Sequence, residues 1–350
     1  MTGERRPGAA AGGTGLGRGT NTGLPRIAVT MGDPAGIGPE VVAQAVREPK
    51  VLAACRPVVY GTGAVLAAAT ELVAGTRALP DQVELVELPG PAPGAFVPGQ
   101  IAAACGAASF AYLERAARDA LATGQVDAVA TAPLHKEATA AAGFDDIGHL
   151  EYLTRLTGAA ETATVLVAGR LRCLHLTTHL SLAAAVRAVT AQRVLARLRL
   201  AQAEMARYGV VQARIGVAAL NPHGGEGGMF GREELDEIAP AVAAARAEGI
   251  DAHGPLPADS LLAAATAGGW DLILVLYHDQ GHIAVKVHDL AHSYTVAMGL
   301  PLIRTSVDHG TAFDVAWQGR ADARGMVAAI LAATALAQGR WPEPSEVRAG

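Results

Sequence analysis

The run DLILVLYHDQGH, Asp271–His282, sets five unbroken aliphatic residues directly before two histidines, an acid and an amide. A short aliphatic run of that kind reads as a buried strand. The titratable chemistry therefore begins where the strand ends. The same unit recurs along the chain. Apolar runs stand at Arg26–Met31 (RIAVTM), Pro57–Gly61 (PVVYG), Val126–Thr131 (VDAVAT) and Thr162–Ala168 (TATVLVA). Others follow at Leu171–Thr178 (LRCLHLTT), Arg214–Leu220 (RIGVAAL) and Pro301–Val307 (PLIRTSV). Between them lie Ala/Leu-rich helical stretches such as ACGAASFAYLERAARDALATG and AQRVLARLRLAQAEMARYG, the second ending at a glycine suited to a helix C-terminus. Strands alternating with helices imply an α/β fold with largely parallel strands.

Composition narrows the function classes. A chain of 350 residues has length for two domains. Its mean hydropathy is positive, at +0.26, yet the apolar residues are broken by charge. No stretch reaches the ~20 apolar residues a spanning helix needs. The net charge of −5 without a dense Lys/Arg block argues against nucleic acid, as does an aromatic content of 4%. Cys55, Cys105 and Cys173 are far apart and form no CxxC pair, which fits core thiols in a reducing cytoplasm. Residues 1–25, rich in Gly, Ala and Thr, contain no apolar segment of an export signal and read as a disordered tail.

In open parallel sheets, ligands bind beyond the carboxyl ends of the strands. Here GDPAGIGPE, APLHK, a Thr-Thr-His, NPHGGEGG, HDQGH and DHGTAFD each follow an apolar run. Six such clusters are expected to assemble one site. His179, His223 and His278 each follow a different run, and three imidazoles on a divalent metal leave positions open for substrate. Asp279 reads as an orienter of a histidine, an acid–base group or a turn cap. Lys286 and Arg304 read as an anion clamp or as solvated cations. His135, Lys136 and His149 form a further polar cluster, whereas His253, His288 and His292 have no such placement. The glycines at 32, 36 and 38 precede Pro39 at a helix start, a setting suited to an anion, though the loop is neither a Walker A nor a dinucleotide fingerprint.

MGDPAGIGPE, TAPLHKEA, TTHLSL, NPHGGEGGMFGREE, GPLPADSL, YHDQGH and RTSVDHGTAFD resemble, in collinear order from about residue 26 to 335, the 4-hydroxythreonine-4-phosphate dehydrogenase family of pyridoxine biosynthesis. The resemblance implies two α/β/α domains like those of isocitrate/isopropylmalate dehydrogenases, with the active site in the cleft between them. It implies a homodimer in which both subunits shape that site. A cofactor-side domain is expected over 26–130 plus 291–340, and a metal, substrate and dimerisation domain over 131–290. By the same resemblance His179, His223 and His278 are metal ligands for zinc, magnesium or cobalt. His149, Lys286 and Arg304 contact substrate, and His309, Gly310, Thr311 and Asp314 lie against NAD or NADP. Trp317 stands where the family commonly has glycine.

Two departures touch the substrate. Leu150 replaces the threonine of the family's Gly-His-Thr, and Thr295 stands where the family carries a substrate-binding asparagine. Losing matched polar contacts can change discrimination by large factors. Retained His149, Lys286 and Arg304 still call for a small anionic, phosphorylated hydroxy acid. The implied reaction is metal-assisted oxidation of a secondary alcohol by NAD(P)+ followed by decarboxylation. Asp279 and Lys136 are the candidate general bases. The substrate candidates are 4-phosphohydroxy-L-threonine, 4-phospho-D-threonate or D-erythronate, and a cis-dihydrodiol carboxylate. Rival classes are a metal hydrolase or aldolase, a phosphotransacylase and a non-catalytic binding protein; no nucleic acid or membrane partner is expected.

Overall fold

The structure, a computed structural model, describes residues 23–146 and 148–348; most of the 1–25 tail lies outside the described residues. Eleven strands form one sheet: β1 Arg26–Thr30, β2 Arg56–Gly61, β3 Glu84–Glu87, β4 Ala128–Thr131, β5 Ala163–Ala168, β6 Leu171–His175, β7 Ile215–Ala218, β8 Ala252–Leu256, β9 Leu272–Val275, β10 Tyr294–Met298 and β11 Arg304–Val307. Their order is β3-β2-β1-β4-β11-β10-β5-β6-β9-β7-β8. The first five are mutually parallel. The last four, β6-β9-β7-β8, are parallel among themselves. β10 and β5 join the two sets through antiparallel pairings. The α/β expectation holds, with the antiparallel pairings at the sheet's centre.

The aliphatic runs are strands because they are buried on both faces. Ile27, Val29, Val129, Leu174, Leu272 and Leu274 are each 0–1% exposed, as expected where helices cover a parallel sheet on both sides. Among the covering helices are Ala103–Arg118, Ala191–Arg207 and Arg324–Ala337. The last is buried along nearly its whole length, so its Ala-rich composition is what lets it pack closely against β4 and β11. The helix Ala191–Arg207 ends as the sequence predicts, with Gly209 at φ +83 just beyond it. Cys55, Cys105 and Cys173 are free and buried. Among the described residues, no helix is long and apolar enough to cross a membrane.

Three strands fall outside the predicted runs. β3 carries two glutamates and is mostly exposed; Glu84 there holds Arg26 of β1 at 2.6 Å. β8 is the opposite edge and contains a proline. Edge strands tolerate both. β10 lies at the centre, inside a segment whose polar start (VHDLAHSYT) hides its apolar end.

Candidate active site

A cavity of about 300 Å³ opens over the middle of the sheet. Strand register explains its floor. Thr295 of β10 pairs with Ser306 of β11, and Ala297 pairs with both Arg304 and Thr164 of β5. Side chains two apart on a strand, or paired across a ladder, share a face. Arg304, Ser306, Thr295 and Thr164 therefore lie on one face, and all four line the cavity.

The walls come from the segments after β4, β6, β9 and β11, which supply Lys136, His179, His278 with His282, and Asp308 with His309 and Gly310. His149, Leu150 and Glu151, at the start of the helix His149–Thr157, complete them. The clusters after β1 and β7 do not line this cavity. The expectation of six converging strand ends is corrected to four. The reason lies in the strand order: β11 and β4 on one side of the central β10-β5 pair, and β6 and β9 on the other, stand nearest the cavity, whereas β1 and β7 each lie one strand farther out.

Arg304 is the dominant charge. It is 5% exposed, and among the described residues its hydrogen bonds both go to Thr131 Oγ1, at 2.8 and 3.2 Å. Burial pulls the guanidinium down to about 10, opposed by the Glu151 carboxylate. A buried cation whose only hydrogen-bond partner among the described residues is a neutral hydroxyl is costly and is poised to take an anion. Burial, and then the charge of Arg304, drive the His149 imidazole well below its ordinary range. Lys286, expected to contact substrate, does not line the cavity; its Nζ stands 3.9 Å from the buried carboxylate of Asp308, which does. Asp308 also accepts from Ser293 Oγ at 3.0 Å.

Two of the three predicted ligand histidines meet here. The rings of His179 and His278 are 6.3 Å apart between centroids. Lys136 Nζ donates to His179 Nε2 at 3.4 Å, which leaves the proton on Nδ1, facing Glu151 at 3.7 Å. The nearby His179 imidazole holds the Glu151 carboxyl below its ordinary range. His278 Nδ1 donates to Asp279 at 2.7 Å, so its Nε2 carries the lone pair. Asp279 itself does not line the main cavity and is 66% exposed.

His223 stands apart. It lies outside the cavity, 70% exposed, beside Glu226 at 3.1 Å, in a glycine-rich loop where residues 223–227 all take left-handed backbone conformations. Among the described residues, no three His, Cys, Asp or Glu side chains of the single chain cluster as metal donors.

His309 and Gly310 line the cavity, and His309 Nε2 is buried without a partner. Thr311 is buried against Gly36, where an added Cβ would meet the threonine Cβ at 2.8 Å. Asp314 is exposed. The GDPAGIGPE loop thus braces this segment rather than lining the cavity: Ile37 N donates to Thr311 O at 3.0 Å, and the buried Glu40 carboxylate accepts from Trp317 N and Gly319 N. Trp317 has φ +61, a left-handed conformation that glycine adopts freely. Its Nε1 donates to Pro34 O at 2.9 Å.

Several site residues escaped sequence reading. Thr131 and Glu151 carry no motif that marks them. His175 is the last residue of β6 and 2% exposed; its signal was Gly281, whose missing Cβ leaves room for the His175 ring, 2.6 Å from where that Cβ would stand.

Residues 53–333 match the family described as pyridoxal phosphate biosynthetic protein PdxA. The chain belongs to that family. It is 43% identical over 333 residues to D-threonate 4-phosphate dehydrogenase of Cupriavidus necator, covering 91% of this chain and 98% of that one. It is 44% identical over 327 residues to 4-hydroxythreonine-4-phosphate dehydrogenase of Geobacter metallireducens, covering 90% and 96%. Among solved structures, 4-hydroxythreonine-4-phosphate dehydrogenase of Klebsiella pneumoniae is similar at a TM-score of 0.79 and 38% identity, covering 90% of this chain and all of that one. The chain is an enzyme, a dehydrogenase of that family.

Proposed function

We propose that the chain oxidises and decarboxylates 4-phospho-D-threonate or D-erythronate, using NAD or NADP and a divalent metal. The observation that carries the reading is Arg304, a buried guanidinium on the cavity floor with a hydroxyl as its only partner among the described residues. It calls for an anionic group deep in the cavity. Two similar proteins bear names for different substrates. Leu150 and Thr295, both in the cavity wall, favour the dihydroxy acid because they remove the polar partners the hydroxythreonine enzymes are expected to use.

The donor set fits a metal only in part within one chain. His179 and His278, whose rings stand 6.3 Å apart between centroids, would hold the ion through their Nε2 atoms. His223 would complete the set from a second copy of the chain, as a homodimer requires. Exposed apolar residues support such a partner: Leu180, Leu182, Ile283 and Val287 surround the His179 and His278 segments, and Met229 and Phe230 follow His223. When bound, the ion would supply Lewis-acid polarisation, and the nicotinamide would supply the hydride acceptor.

The chain's own residues then divide the work. Arg304 and Lys286 hold the anionic ends, and His149 stays neutral beside Arg304. Lys136 lines the cavity next to His179 and is the better of the two base candidates; Asp279 orients His278. His309, Gly310 and Thr311 form the cofactor segment, with the unpartnered His309 Nε2 available to it, and Asp314 lies at its exposed end. The cofactor-side half is proposed to be 26–130 plus 291–340, and the metal-side half 131–290.

Initial rates of nicotinamide reduction with 4-phospho-D-threonate, 4-phospho-D-erythronate and 4-phosphohydroxy-L-threonine test this, with NAD+ and NADP+ and added Zn²⁺, Mg²⁺ or Co²⁺. The expected result is reduction with release of CO2, fastest for a phosphorylated dihydroxy acid. Reduction with the aminohydroxy acid alone would reassign the substrate, and none with any of the three would refute the reading.

A further inference from the structure

The segment behind the cavity wall holds a hydrogen-bonded chain of imidazoles. His282 Nδ1 lies 3.1 Å from His278 O and 3.1 Å from His175 Nε2. A carbonyl only accepts, so Nδ1 of His282 carries the proton. His175 Nε2 must then accept, which places the His175 proton on Nδ1, 3.4 Å from Thr164 O. Each link fixes the next tautomer. The outcome is that His282 Nε2 bears a lone pair.

The direction of that lone pair follows from ring geometry. Nδ1 faces the sheet, where His175 is 2% exposed. Nε2 lies on the far side of the same planar ring, and His282 lines the cavity. The ring cannot readily swing. It stacks on His278 at 3.6 Å between centroids and 9° between planes. Gly281 admits His175 against the helix. Gln280 pins the helix start by accepting from Leu276 N at 2.7 Å and donating to Ala219 O at 2.8 Å.

We propose that His282, held in one tautomer by His175, is a specificity-determining residue whose Nε2 accepts a hydrogen bond from the substrate hydroxyl next to the one oxidised. The proposal rests on the reading above that the substrate is a phosphorylated dihydroxy acid. It adds a neutral imidazole acceptor to a cavity whose other acceptors are the charged carboxylates of Glu151 and Asp308 and hydroxyls such as those of Thr295 and Ser306. A fixed neutral acceptor rewards a hydroxyl and gives nothing to a hydrogen in its place.

The test compares kcat/KM for 4-phospho-D-threonate with that for its 2-deoxy analogue, 3-hydroxy-4-phosphobutanoate, in the wild type, His282→Leu and His282→Gln. Circular dichroism and thermal melting check that each variant folds. The wild type should prefer the dihydroxy acid. In His282→Leu that preference should fall by about tenfold or more, the cost of an unmade hydrogen bond at a matched site. In His282→Gln, whose amide oxygen can accept, part of the preference should return. A preference unchanged in His282→Leu, whether or not both rates fall together, would overturn the proposal. Should the wild type oxidise neither compound, the substrate assignment itself fails and takes this role with it; turnover of both without preference removes the role alone.

Discussion

The cavity floor and the His223 loop carry the same kind of chemistry in opposite settings. On the floor, Arg304 is buried, its partner Thr131 is 0% exposed, and every neighbour is fixed by strand register. On the loop, a histidine of the same expected ligand set stands 70% exposed on five consecutive left-handed residues. Left-handed backbone costs a non-glycine residue about 1–3 kcal/mol. His223 and Glu226 both sustain it, for no burial in return within the chain. A buried guanidinium hydrogen-bonded only to a hydroxyl among the described residues, and a strained loop whose histidine stands open, are each half of an arrangement. The first lacks its substrate; the second, on the account given above, lacks a neighbouring chain.

The largest effect is expected on the floor. Arg304→Met should lower kcat/KM by about thirtyfold to several-thousandfold, since truncating one side of a buried charged contact costs ~2–5 kcal/mol. Its thermal stability should hold or rise, because the variant no longer buries an unpaired cation. Steady-state kinetics with a melting curve checks both. A large loss of stability with little loss of kcat/KM would make Arg304 a structural residue and dissolve the contrast.

A smaller effect concerns pH. His175 in the folded chain titrates at about 3, far below the ordinary ~6.5 of an unfolded histidine. Between these values the unfolded chain binds a proton that the folded chain does not. Stability is therefore lost as pH falls below about 6.5, with a slope of up to ~1.4 kcal/mol per pH unit from this one group. In His175→Gln that component should vanish, and denaturant midpoints measured from pH 7 to pH 5 should fall less steeply than in the wild type. Parallel curves would show that His175 is not held neutral by the wall.

How much of this was legible follows from which signals are local. The parallel strands were, because Ile27–Val29 and Leu272–Val275 are aliphatic on both faces. β10 was not, because Thr295 and Tyr294 follow a polar stretch, and only pairing with β5 and β11 makes them a central strand. Missing β10 hid the centre of the sheet, and with it the strand order that leaves β1 and β7 farther from the cavity than β4 and β9. Arg304, His149, Lys136, His179 and His278 were found together from strand ends and resemblance. Glu151 and Thr131 were not, since a single acid or hydroxyl carries no periodicity. His282 could not be placed until Gly281 proved to be the gap that admits His175.

Subunit complementation shows whether a second copy of the chain finishes the site. His223→Ala and His278→Ala should each abolish turnover alone. Mixed in equal amounts and allowed to reassort, half of the dimers would be hybrids with one intact site of two, so activity should return to about a quarter of the wild-type value. If the mixture stays inactive although hybrids form, His223 and His278 must act within one chain, and the division drawn here between floor and loop is wrong.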